Sequence, residues 1–98
     1  MERAAVRIKV PFDALDLGSA SEFLRWVLAR IHTEAPPEFD VVLDLDAVEF
    51  VMAAGVQALL DLEAELMQRG QSLSVAGAAP IVTRVLEICG VAERWTVR

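Results

Sequence analysis

Cysteine and histidine, which supply many metal ligands and nucleophiles in proteins, are nearly missing from this chain of 98 residues. The single cysteine, Cys89, excludes an internal disulfide and is compatible with a reducing compartment. It falls in a predicted helix beside Leu86 and Ile88, where we expect a small buried hydrophobic residue rather than a nucleophile. The single histidine, His32, falls at the end of another predicted helix, where a cation interacts favourably with the helix dipole.

Motifs for catalysis and metal binding are also missing. No Gly-rich phosphate loop, Cys and His metal spacing or Ser, His and Asp set can be assembled from these residues. Asp44 and Asp46 share one face of a predicted strand and could hold magnesium, but nothing nearby supplies the further oxygen ligands that this ion requires. We therefore expect a structural role for both carboxylates. The sequence predicts a protein that is not an enzyme and needs no metal or cofactor.

Positive charge and long apolar runs are scarce as well. The formal net charge of −6 disfavours nonspecific binding to nucleic acid or anionic lipid, which depends on clustered Lys and Arg. A basic partner fits the negative charge better than nucleic acid or lipid does, but the favoured interpretation is that the acidity only keeps a small protein soluble and monomeric. The longest nonpolar run, residues 50–56, is far shorter than the ~20 residues of a membrane-spanning helix. Residues 1–5 contain no apolar signal segment, so we expect a cytoplasmic protein without membrane insertion.

Strand patterns recur along the chain, whose composition is 55% hydrophobic and 24% charged, as in a packed domain. Residues 6–10 alternate apolar and charged side chains, which indicates a strand with one wet face, at the edge of a sheet. Residues 41–43 form a continuous aliphatic run, typical of a central parallel strand covered on both faces by helices. Two further strands are predicted over residues 71–75 and 95–97.

Three predicted helices separate these strands. The first begins at a capping box formed by Ser19 and Glu22, the second ends at Gly70, and the third runs from Pro80 to Gly90. The resulting order predicts one α/β domain over residues 1–98, with a mostly parallel four-stranded sheet flanked by helices. The side chains expected on the buried helix faces are Phe23, Leu24, Val27, Leu28 and Ile31; Val56, Leu59, Leu60, Leu62, Glu63, Leu66 and Met67; and Ile81, Val82, Val85, Leu86, Ile88 and Cys89.

The start of the second helix lacks a usual feature. The first amides of a helix carry a partial positive charge and commonly meet a Ser, Thr, Asp or Asn cap or a bound anion. Here the turn reads Met52, Ala53, Ala54, Gly55, so no side chain of the turn can cap them. Either backbone and water satisfy these amides, or something outside the turn does.

Several segments together resemble the STAS domain, the fold of bacterial anti-sigma-factor antagonists. Nearly the whole chain is covered by this likeness. The matching segments are Leu15-Asp16 before the first helix, residues 42–45 and 55–60 around the uncapped turn, residues 68–73, and residues 84–91, which are similar to the family's Arg-Val-Leu-Glu-Leu-Thr-Gly-Leu ending.

The resemblance implies a protein-binding surface without its usual switch. In the family the turn reads Asp-Ser-Ser/Thr-Gly, and an anti-sigma-factor kinase phosphorylates the first serine. In this chain the Asp falls on Met52, the phosphoacceptor on Ala53, the next hydroxyl residue on Ala54, and only Gly55 agrees. Ala53 has no oxygen, so phosphorylation at this position is excluded. The residues expected to contact a partner are Asp16, Val51, Met52, Ala53, Ala54, Gly55 and Gln57.

Three hypotheses remain open from the sequence. The first is a module that binds a protein partner of the anti-sigma-factor or kinase type constitutively. The second is a subunit of a membrane transport or larger signalling assembly. The third is binding of a nucleotide or other anion at the open helix start. Ser19 and Ser21 are the alternative phosphorylation candidates, with capping the favoured role for Ser19, and the edge strand at residues 6–10 leaves a homodimer open.

Overall fold

Two small parallel sheets and three helices make up the part of the chain that a computed structural model describes, residues 3–95. Within it, no helix has the length and apolar character needed to cross a bilayer. The strands are β1 (Ala5–Lys9), β2 (Ala14–Leu15), β3 (Asp40–Asp44), β4 (Phe50–Val51) and β5 (Leu73–Ala76), and the helices are α1 (Ala20–Glu34), α2 (Ala53–Gln68) and α3 (Pro80–Ile88).

The larger sheet has the order β1-β3-β5, with both pairs of neighbours parallel. Val41, Val42 and Leu43 of β3 are all buried, which confirms the prediction of a central strand covered on both faces. β1 is an edge strand, also as predicted, and its exposed Arg7 and Lys9 alternate with the buried Ile8. Charged side chains on an edge strand discourage pairing with other chains.

The prediction of a single four-stranded sheet is wrong. β4 pairs with β2 in a separate parallel pair, Ala14 beside Phe50 and Leu15 beside Val51. Strands of two residues are too short to show a period in the sequence, and β2 and β4 were not predicted. The predicted fourth strand begins at Trp95, which lies in a turn; the rest of it, residues 96–97, falls outside the described residues. The Trp95 carbonyl nevertheless accepts a hydrogen bond from the Val75 amide at 3.1 Å, along the edge of β5.

The buried helix faces agree with the sequence in the first two helices more than in the third. Phe23, Val27 and Ile31 of α1 and Val56, Leu59, Leu62 and Leu66 of α2 are buried as expected. Gly70 has a φ of 75°, which confirms the left-handed end of α2. Four side chains expected inside, Met67, Ile81, Ile88 and Cys89, are exposed. Cys89 is the C-cap residue of α3, directly after the last residue of the helix.

The capping box predicted at Ser19 and Glu22 is also wrong. Ser19 occupies the N-cap position of α1, but its side chain makes no capping hydrogen bond. The Ser19 hydroxyl instead donates to the Ala14 carbonyl at 2.8 Å and accepts from the Asp16 amide at 3.1 Å. It therefore fixes the turn before the helix rather than the first turn of the helix.

The loops before the strands, at the amino-terminal end of the larger sheet, are held by two side chains. Gln71 is buried, and its Nε2 donates to the carbonyls of Ala35, Pro36 and Phe39 at 3.2, 3.1 and 2.7 Å. The guanidinium of Arg3 donates to three further carbonyls, of Pro37, Glu38 and Gly70. These two side chains tie the loop before β3 to the loop before β5.

Candidate functional site

The turn between β2 and α1 lies against the start of α2 because β2 and β4 pair. Leu15 and Val51 point into the core from this pair, whereas Phe50 is exposed. The Leu15 carbonyl accepts a hydrogen bond from the Met52 amide at 2.8 Å. Residues 16–18 and 50–54 are thereby brought to one place.

Gly55 permits this close approach. A Cβ added at this position would lie 2.2 Å from the Leu15 carbonyl oxygen and 2.7 Å from the Leu15 Cβ. Both distances are shorter than any packed contact, so a larger residue would force the two segments apart. The glycine that agrees with the resembled family is thus required here for packing between β2 and α2.

The start of α2 is uncapped, as the sequence predicts. Met52 is the N-cap residue, with the extended backbone typical of that position (φ −109°, ψ 175°), and its side chain makes no capping hydrogen bond. The Met52 carbonyl accepts from the amides of Gly55 and Val56. No oxygen of residues 3–95 accepts from the amides of Ala53 or Ala54. Ala53 is exposed, so these amides are accessible to water or to an oxygen of a bound molecule.

An apolar groove of about 500 Å³ surrounds this helix start. Its large side chains are all exposed: Leu17 to 89%, Met52 to 55% and Phe50 to 43%. Exposed apolar residues are normal when scattered singly, but a contiguous group is a common mark of a binding surface. We call this feature the helix-start groove; it is lined by Asp16, Leu17, Gly18, Phe50, Met52, Ala53 and Ala54.

A smaller groove of about 200 Å³ continues from Ala54 between α1 and α2. Gln57 and Asp61 line it, and the Gln57 Nε2 donates to Asp61 Oδ1 at 2.9 Å. Asp16 and Asp61 are the charged side chains among the residues that line the two grooves. Neither joins any of the ion pairs formed within residues 3–95. The combined surface is therefore apolar with acidic flanks.

The predicted contact residues separate into a surface group and a supporting group. Asp16, Met52, Ala53 and Ala54 line the helix-start groove, and Gln57 lines the smaller one. Val51 and Gly55 are buried beneath them. Asp16 is also structural, because its Oδ1 accepts from the amides of Gly18 and Ser19 at 3.0 and 3.1 Å.

Leu17 and Phe50 were missed by reasoning from the sequence, although they are two of the three large side chains of the groove. Leu17 carried a usable signal: a leucine between Asp16 and Gly18 occupies a turn, where no periodic pattern would bury it. The exposure of Phe50 could not be read in the same way, since it depends on the pairing of β2 with β4.

The two serines near α1 differ in their surroundings. The hydroxyl of Ser19 is engaged by Ala14 and Asp16, as described above. Ser21 is exposed and lines the smaller groove next to Ala54. A structural role for Ser19 therefore stands, through a turn rather than through a helix cap.

Asp44 and Asp46 have structural partners at the carboxyl end of β3. Asp44 Oδ1 accepts from the Asp46 amide at 2.9 Å, and Asp44 Oδ2 lies 3.2 Å from Arg7 Nε. The backbone hydrogen bond, followed by Arg7, holds the pKa of Asp44 below its usual value. Within residues 3–95, no three His, Cys, Asp or Glu side chains converge as a metal site would require.

The chain matches one family model over almost its full length. The model is described as "Mlab, STAS domain", and the match covers residues 3–97. No curated protein sequence matches the chain.

Solved structures with the same fold come from proteins of different kinds. The chain is 20% identical to the murine anion transporter Solute Carrier 26 family member A9, solved in its inward-facing state, with a TM-score of 0.81; the match covers 98% of this chain but only 16% of the transporter. It is 20% identical to the unphosphorylated anti-sigma factor antagonist SpoIIAA, with a TM-score of 0.73, covering 99% of this chain and 80% of SpoIIAA. A Thermotoga maritima protein, provisionally an anti-sigma factor antagonist, is 15% identical with a TM-score of 0.76, covering 98% of this chain and 83% of that protein.

Proposed function

The chain belongs to the STAS domain family, and we propose that it is a non-catalytic module that binds a protein partner through the helix-start groove. The partner we propose first is of the anti-sigma-factor or kinase type, by likeness to the antagonists that share the fold. Phosphorylation at position 53 cannot switch this binding off, because an alanine methyl cannot be phosphorylated.

One observation carries this proposal: three large apolar side chains, Leu17, Phe50 and Met52, are exposed together around an uncapped helix start. Burying such side chains against a partner is favourable by about 25 cal/mol per Å² of apolar surface. Met52 suits this role further, because a flexible thioether fills irregular pockets. A partner with an apolar centre and basic flanks complements the apolar floor and the carboxylates of Asp16 and Asp61.

The experiment that tests this function is affinity capture from the source cell's lysate with wild-type, Ala53→Asp and Met67→Asp proteins in parallel, read by mass spectrometry. Ala53→Asp places a negative charge in the apolar groove, as a phosphate would. Met67→Asp is the matched control. Met67 is an apolar residue of α2 like Ala53 and is 65% exposed, but it lies near the other end of the helix.

We expect a partner that is retained by wild type and Met67→Asp and lost by Ala53→Asp. Purified components should then show at least about a tenfold weaker affinity for Ala53→Asp, the size of effect expected at the centre of an interface. Equal retention of every captured protein by wild type and Ala53→Asp would sink the proposal.

A second candidate function is a subunit of a membrane transport or multi-protein signalling assembly. The observation that favours it is the likeness in fold to a region of an anion transporter, with a TM-score of 0.81. In that case the captured proteins would be transport or sensor subunits, and no anti-sigma-type kinase would be among them. Retention of those subunits by Ala53→Asp would assign the domain a scaffolding role away from the groove.

A further inference from the structure

The smaller groove, of about 200 Å³, runs along one face of α2. We call it the interhelix groove; on the α2 side it is lined by Ala54, Gln57, Ala58 and Asp61, whose spacing of three, four and seven residues places them on the same face of the helix. Ala54 also lines the helix-start groove, and Asp61 lies about 10 Å further along the helix axis. A partner seated in the helix-start groove therefore has the interhelix groove directly beside it.

The size and lining of the interhelix groove suit a single long side chain. Ala54 and Ala58 contribute only methyl groups, and Leu24 lines the groove from α1. The volume is below the about 300–1,000 Å³ of ordinary small-molecule pockets, so the groove accommodates one side chain of a partner rather than a whole ligand. Apolar lining that leads to a charged group fits a side chain with a methylene stem and a charged head.

Two acceptor oxygens lie at the Asp61 end of the groove. Gln57 and Asp61 are both exposed, and Gln57 Nε2 donates to Asp61 Oδ1 at 2.9 Å. A carboxylate only accepts hydrogen bonds, so this contact fixes the Gln57 amide and leaves its Oε1 as a second acceptor. Within residues 3–95, Gln57 Oε1 and Asp61 Oδ2 accept no hydrogen bond, and Asp61 joins no ion pair. A cationic donor from another molecule would complement both oxygens.

From this arrangement we infer that the interhelix groove receives an arginine side chain of the partner, with the guanidinium on Asp61 and Gln57. The inference rests on the proposed function, because the partner bound in the helix-start groove supplies the arginine. Arginine fits better than lysine, since its planar guanidinium holds several N–H donors in a fixed fork that can serve two acceptors at once. The formal net charge of −6 also favours the approach of a basic segment.

Titration of the purified domain with N-acetylargininamide, followed by the amide resonances in NMR spectra, tests the site without the partner. N-acetylcitrullinamide keeps the stem and replaces the guanidinium with a neutral urea, and N-acetyllysinamide tests whether any cation is enough. The variants are Asp61→Asn and, as the matched control, Glu65→Gln. Glu65 is exposed, lies one turn further along α2 and is not among the residues that line the two grooves, and both substitutions remove one negative charge.

We expect saturable shifts at the amides of residues 54–61 for the arginine probe, with a dissociation constant of about 1–10 mM. Asp61→Asn should weaken this binding at least about fivefold, because it removes the charge from the hydrogen bonds, and Glu65→Gln should titrate like wild type. Absence of saturable shifts at about 50 mM arginine probe would overturn the inference. Equal shifts with the citrulline or lysine probe, or an unchanged titration of Asp61→Asn, would overturn it as well.

Titration of the purified partner separates this inference from the proposed function. The partner should bind Asp61→Asn at least about fivefold more weakly than wild type and bind Glu65→Gln equally well. A complex that is weakened by Ala53→Asp but not by Asp61→Asn would overturn the arginine site and leave the helix-start groove as the binding surface. Full affinity of Ala53→Asp would instead contradict the proposed function itself.

Discussion

The two ends of the larger sheet differ in how far the chain satisfies and covers its own groups. At the amino-terminal end, Gln71 and Arg3 together donate to six backbone carbonyls of the loops. At the opposite end, the helix-start groove exposes Leu17, Phe50 and Met52 and leaves the first amides of α2 without a protein acceptor among the described residues. The first end is closed by the chain itself, and the second is the surface that we propose for partner binding.

From this difference we expect residues at the amino-terminal end to contribute to stability and residues of the helix-start groove to contribute to binding. Buried polar groups that lose a partner cost about 1–3 kcal/mol each, so changes at the amino-terminal end should lower stability. Side chains of the groove are exposed in the free protein, so changing them should leave stability nearly unchanged and act on the complex.

The largest effect on stability is expected for Gln71→Ala. The substitution removes the donor shared by the carbonyls of Ala35, Pro36 and Phe39 and leaves a cavity at a residue that is 2% exposed. We expect the free energy of unfolding, measured by urea denaturation, to fall by about 2–3 kcal/mol. Gln68→Ala, at an exposed position of α2, is the control. A loss no larger than that of the control would remove the distinction between the two ends.

Met52→Asp should move stability and binding in opposite directions. Aspartate at the N-cap position of α2 can accept from the open amides, and a good cap in place of a non-capping residue adds about 1 kcal/mol to the free energy of unfolding. The same charge in the groove should weaken partner binding at least about tenfold.

Met67→Asp is the matched control for this change, because it places the charge near the carboxyl end of α2, where the helix dipole disfavours it. Its unfolding free energy should fall slightly, and its partner affinity should not change. Parallel losses of stability and affinity in Met52→Asp would argue that the groove residues serve the fold.

A smaller effect, confined to stability, is expected for Asp44→Ala at the carboxyl end of β3. The substitution removes the acceptor for the Asp46 amide and the partner of Arg7, at a cost of about 1 kcal/mol at neutral pH. Because the pKa of Asp44 is lowered in the folded protein, its stabilising effect is present above the ordinary pKa of 3.8 and is lost as pH falls through the folded value.

Denaturation between neutral pH and about pH 2 measures this contribution. The difference in unfolding free energy between wild type and Asp44→Ala should shrink below pH 3.8, while partner affinity at neutral pH stays the same. A difference that is constant with pH would show that the Asp44 carboxylate is not the cause.

Features that depend only on the local sequence could be predicted, and features that depend on pairing between distant segments could not. The aliphatic run at residues 41–43 and the uncapped start of α2 were both predictable, because burial on two faces and the absence of a capping side chain are properties of the local sequence. The part that Phe50 plays in lining the helix-start groove was not, since the exposure of Phe50 follows from the pairing of β2 with β4.

The burial of side chains on α3 also depends on tertiary packing, and the sequence pattern predicted too many of them as buried. α3 carries apolar residues on two faces within nine positions, so its pattern suggested that Ile81, Ile88 and Cys89 are buried with Val82 and Leu86. Only packing against the rest of the domain decides which face is covered, and here it covers the face of Val82 and Leu86.

Leu17→Ser offers the most direct measurement of the division between stability and binding. Leu17 is 89% exposed, so its removal costs the isolated domain almost nothing, and a changed affinity can arise only in the complex. Isothermal titration of the captured partner into wild type, Leu17→Ser and Met67→Ser, alongside thermal unfolding of each, should give equal unfolding midpoints and at least about a tenfold loss of affinity for Leu17→Ser alone. Equal affinities for all three proteins would contradict the assignment of the helix-start groove as the binding surface.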